Sequence, residues 1–71
     1  MAITILAGIV DRHGGIRVVV TAQENIHYHV AEGERLYVVP NFFADDLVSG
    51  GQYVALIDMA TKYVKSREAQ S

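Results

Sequence analysis

The chain has 71 residues, 51% of them apolar, with no cysteine, no tryptophan and a formal net charge of −2. Missing cysteine excludes disulfides and thiolate zinc sites, and no run approaches the ~20 apolar residues of a membrane span. Residues 1–60 carry three Arg against seven Asp and Glu (−4), and residues 61–71 carry Lys62, Lys65 and Arg67 against Glu68 (+2); an acidic body of this kind disfavours general nucleic-acid binding.

One domain spanning 1–71 is expected, and a domain this small buries only ~60% of the surface that its unfolded chain exposes. Association with a partner is therefore a natural source of stability. The opening MAITILAGIV lacks the basic region and cleavage site of a secretory signal, so cytoplasmic location is the default expectation.

In chain order, the β-branched runs 3–10 and 16–22 predict two strands. Asp11-Arg12-His13-Gly14-Gly15 joins them as a hairpin. Gln23-Glu24-Asn25 breaks the pattern, after which 26–30 alternates: Ile26, Tyr28 and Val30 on one face, His27 and His29 on the other. Ala31-Glu32-Gly33-Glu34 is a second turn, 35–39 a fourth strand, and Pro40 its stop. Asn41 can cap a helical turn over about 42–48, with Phe42, Phe43, Leu47 and Val48 closing the end of the core.

Beyond Gly50-Gly51, apolar residues at 53, 56, 57, 60, 63 and 64 make one stripe, with polar residues at 58, 61, 62, 65, 66 and 68 opposite. That 3.6-residue period predicts a helix over about 52–68. The fold expected is α+β, a four-stranded antiparallel meander with the C-terminal amphipathic helix packed on one face. The alternative reads 53–57 and 62–65 as strands of a small all-β barrel of the OB kind.

Alternation assigns Ile3, Ile5, Ile9, Ile16, Val18, Val20, Tyr37 and Val39 to the helix side. Leu6, Val10, Val19, His27, His29, Leu36 and Val38 are left on the other face. An apolar face without a covering helix marks a partner site. Leu6, Val19, His27, His29, Leu36 and Val38 are accordingly the candidate contact residues, for a second copy or a larger protein.

His27-x-His29, with Glu34 five residues on, resembles the first metal motif of cupins, whose ligands come from neighbouring strands. The resemblance covers about fifteen residues. Thr21 and Asn41 stand where that motif has glycines, and the second motif is absent. The competing reading is an ordinary hairpin whose histidines lie on a half-buried partner face.

Catalytic patterns are missing. Thr4, Thr21, Ser49, Thr61, Ser66 and Ser71 sit in no nucleophile elbow, and adjacent Asp45 and Asp46 suit a helix start. The expectation is a small non-catalytic binding module without cofactor: a regulator, subunit adaptor or inhibitor, a description that fits small proteins of phages and mobile elements. Two alternatives are a sheet protein binding single-stranded nucleic acid through Arg12, Arg17 and Arg35, and a small metal protein using His27, His29 and Glu34.

Overall fold

The computed structural model describes residues 3–40 and 53–70. The expected helical turn at 42–48 lies outside them, as does the side chain of Tyr53. Strand β1 is Thr4–Val10, β2 is Ile16–Ala22, a 3-10 helix spans Gln23–His29, β3 is Arg35–Val38, and helix α1 is Tyr53–Ala69. The chain is therefore α+β, with an open antiparallel sheet and no closed barrel. Among the described residues no helix is long and apolar enough to cross a membrane.

Among the described residues the sheet has three strands in the order β2-β1-β3. β1 pairs antiparallel with both neighbours, Val10 facing Ile16 on one side and Arg35 on the other. A meander would place β2 in the centre, so the topology departs from expectation. β2 ends beside Thr4, whereas β3 starts beside Val10. The connection between them must travel the length of the sheet, and the 3-10 helix does most of this.

At a rise of about 2 Å per residue, its seven residues advance roughly 14 Å. Residues 26–29 belong to this helix, so 26–30 is not a fourth strand, despite its alternation. Ile26 and Val30 are half-buried, as one face of a strand would have them. Tyr28 decides the matter. A strand with Ile26 and Val30 inward would turn Tyr28 inward too, yet it is 77% exposed.

Helix α1 covers the other face of the sheet, lying over β1 and β2. Leu56, Ala60 and Val64, one turn apart, are its buried ridge. Leu56 and Ala60 join Leu6 and Val39 in the core, with Val18, Val20 and Tyr63 packed around them. Asp58 and Lys62 form an ion pair on the outward side, 3.1 Å apart.

The face assignment of β1 is corrected by its register. The five-residue link sets Val10 opposite Ile16, so Gly8 faces Val18 and Leu6 faces Val20. Leu6, Gly8 and Val10 are the residues turned to the helix, while Ile5, Ala7 and Ile9 look the other way. Leu6 through Val10 are all buried, as suits a central strand covered on both sides.

The hairpin turn follows its sequence. Asp11 accepts N–H bonds from His13 and Gly15, both at 2.8 Å. These bonds, that from Gly15 foremost, hold its carboxyl below the ordinary value. Gly14 takes a φ of +86°, which glycine adopts without the cost that a Cβ would impose.

Candidate association edge

β3 is short, and each of its faces is fastened to a different element. On the helix side, Arg35 and Tyr37 both reach Glu68 of α1. The Arg35 guanidinium donates to both carboxylate oxygens and the Tyr37 hydroxyl donates to Oε2. Arg35 first, then Tyr37, holds the Glu68 carboxyl below its usual value, and Glu68 in turn pushes the Tyr37 phenol up.

On the other side, Glu34 immediately precedes the strand and is held by Arg17 of β2. The guanidinium donates to both Glu34 oxygens, at 3.2 and 2.9 Å, and to the His29 carbonyl at 2.6 Å. Glu34 also accepts the Ala31 N–H at 2.8 Å, closing its own turn. Arg17 chiefly, with Ala31, lowers the Glu34 carboxyl from 4.5 to about 2.

Arg17 faces Ile9 across the ladder, so it lies on the face away from α1. Its bond to His29 carries the end of the crossover over that face. Ala7 and Ile9 there are wholly buried, but the cover stops short of β3. Leu36, beside Ile9, is 36% exposed and Val38, beside Ala7, is 43% exposed.

The hydrogen-bond pattern of β3 shows which backbone groups are left. Val39 donates its N–H to the Leu6 carbonyl at 2.8 Å. Antiparallel ladders alternate, so Arg35, Tyr37 and Val39 turn their N–H and C=O groups to β1, and Leu36 and Val38 turn theirs outward. Among the described residues no strand pairs with that outer edge. The edge thus combines outward donors and acceptors with two exposed aliphatic side chains on one face.

The sequence-predicted contact residues fall into four groups. Leu36 and Val38 share the edge. Val19 lies on the same face as they do but is half-buried in β2, and Leu6 is wholly buried beneath α1. His27 and His29 are exposed on the 3-10 helix. At three residues per turn, two positions two apart point about 240° around the axis, so the shared strand face that a metal pair required does not exist. Among the described residues no three His, Asp or Glu side chains group as a metal would need.

Two shallow clefts lie among the described residues. One, about 270 Å³, lies between the β1–β2 turn and α1, lined by Val10, Ile16, Val64, Lys65 and Glu68. The other, about 220 Å³, lies between the two turns, lined by Asp11, Arg12, His13, Glu32 and Glu34. The carboxylates of Glu68, Asp11 and Glu34 all serve bonds within the chain. The brackets around β3 were not foreseen, although an arginine among valines at 16–20 was the available signal for one of them.

Comparison with known proteins finds no matching family model, no matching curated protein and no matching solved structure.

Proposed function

We propose that this chain is a non-catalytic protein-association module, a regulator, subunit adaptor or inhibitor, that docks through the outer edge of β3. The observation carrying this reading is the outer edge of β3, with which no strand pairs among the described residues. The outward backbone groups of Leu36 and Val38 stand next to their exposed side chains, on a strand that bonds to Arg17 and Glu68 hold in place. Strand addition to an exposed sheet edge takes affinity from main-chain bonds and specificity from alternate side chains.

The single-stranded nucleic-acid reading has less support. Arg17 and Arg35 are spent on Glu34 and Glu68, and Arg12 donates to the Glu32 carbonyl at 3.0 Å. Phosphate binding would have to compete with these bonds.

The test is affinity capture from an extract of the source cells, comparing the wild-type chain with Leu36→Pro. Proline at this position removes an N–H that points away from β1 and leaves the internal ladder its bonds. Proteins retained by the wild type and lost with Leu36→Pro, with unchanged circular dichroism, support the reading. Equal retention by both baits contradicts it.

A further inference from the structure

The partner of an open strand edge is set by register, charge and side-chain fit, and for β3 all three can be worked out. Within β3, Leu36 and Val38 present the outward backbone groups, so an added antiparallel strand must place its own outward residues against these two. A second β3 meets that requirement, in three possible registers.

In the first register, Leu36 faces Leu36 of the second copy. Val38 then falls opposite Glu34, whose N–H is already donated to the Ala31 carbonyl at 3.0 Å. In the second, Val38 faces Val38, and Leu36 falls opposite Pro40, which has no N–H to give. In the third, Leu36 faces Val38 and Tyr37 sits on the twofold axis opposite Tyr37. Both Leu36–Val38 pairs then exchange their two N–H···O bonds, and Arg35 faces the neutral Val39, with neutral Tyr37 on its diagonal.

The third register also joins the two exposed aliphatic pairs. Leu36 and Val38 of each copy form one apolar cluster on the face away from α1, continuous with the buried Ala7 and Ile9. The charge of Arg35 is already neutralised within its own chain by Glu68. We infer that the occupant of the β3 edge is a second copy of this chain, paired antiparallel with Tyr37 opposite Tyr37, giving a continuous sheet across the dimer. This inference rests on reading the edge as the association site, and it names the partner.

The experiment combines solution mass with site-specific cross-linking. Sedimentation equilibrium on the wild-type chain over about a hundredfold concentration range shows mass-action dimerisation directly. Cross-linking exploits the absence of native cysteine. A non-hydrogen-bonded antiparallel pair has Cα atoms about 4.5 Å apart, inside disulfide range, so Tyr37→Cys should oxidise to a covalent dimer. The expected result is a wild-type mass twice that of one chain at the upper concentrations, with Tyr37→Cys cross-linking faster than Leu36→Cys or Val38→Cys.

A wild-type mass of one chain at every concentration would overturn the second copy as partner, while capture through the edge would still support the wider reading. A wild-type dimer whose mass is unchanged by Leu36→Pro would overturn both. Cross-linking fastest at Leu36→Cys or Val38→Cys would overturn the register. The wild-type mass does not depend on whether any variant folds.

Discussion

Gly8 and Val64 meet with no room for another carbon between them: a β-carbon on Gly8 would lie 2.3 Å from the Val64 Cγ2 atom. Val64 is wholly buried on α1, and Gly8 occupies the middle of the central strand on the face turned to it. The missing side chain lets the helix settle onto β1, and with it the Glu68 carboxylate that fastens β3.

Gly8→Ala should therefore destabilise the fold although alanine is the better strand residue. A β-branched valine in a helix has one strongly preferred rotamer and cannot swing aside. Overpacking of this sort costs typically 1–3 kcal/mol, more than the few tenths to 1 kcal/mol that removing a glycine gains through the unfolded state. Urea unfolding checks this. The double variant Gly8→Ala/Val64→Ala should be more stable than the sum of the single effects, since the new methyl group occupies the space the valine vacates.

Leu56→Ala tests the core ridge. Leu56 is almost fully buried and packs in the cluster with Leu6, Val39 and Ala60. Truncating such a leucine costs about 2–5 kcal/mol, a large share of the stability available to a domain this small. The expected outcome is a strongly lowered urea midpoint, with partial unfolding at room temperature. An unchanged midpoint would contradict the packing described.

Glu34 should impose a pH dependence of definite sign. Its carboxyl is held at about 2 in the folded chain against 4.5 ordinarily, so the unfolded state binds the proton more readily. The stability it contributes is present above pH 4.5 and is lost as the pH falls through that value toward 2. Thermal midpoints measured across this window should drop with acidification in the wild type. In Glu34→Gln the drop should be smaller, because the amide does not titrate.

Tyr37→Phe removes the hydroxyl donated to Glu68 while keeping the ring. Amide exchange in β3 should speed up and the overall midpoint should fall modestly, with helix content unchanged. Faster exchange confined to β1 and β2 would show that Glu68 fastens something other than β3.

Much of this was legible in the residues. The 53–64 stripe identified α1, and Asp11 to Gly15 identified the hairpin, whose link length also fixes Val10 opposite Ile16. Applied rigorously, that pairing places Leu6 and Gly8 under the helix. The nearly unbroken apolar run at 5–10 obscured this, because a strand buried on both faces carries no alternation to read. The segment 26–30 misled for the opposite reason, since its residues alternate as a strand face would, although the backbone of 23–29 coils as a 3-10 helix. Of the six candidate contact residues, Leu36 and Val38 stand on the edge. The bonds that hold β3 were hidden because Arg17 meets Glu34, and Arg35 meets Glu68, across long stretches of sequence.

Among the described residues no strand pairs with the outward backbone groups of Leu36 and Val38, and the proposed association would bond them. Residue-resolved amide hydrogen exchange, measured at low and at high protein concentration, tests this most directly. The account predicts protected amides at Tyr37 and Val39 throughout, with Leu36 and Val38 unprotected on dilution and protected once a partner strand is bound. Protection of Leu36 and Val38 at the lowest concentration, or their free exchange under all conditions, would contradict it.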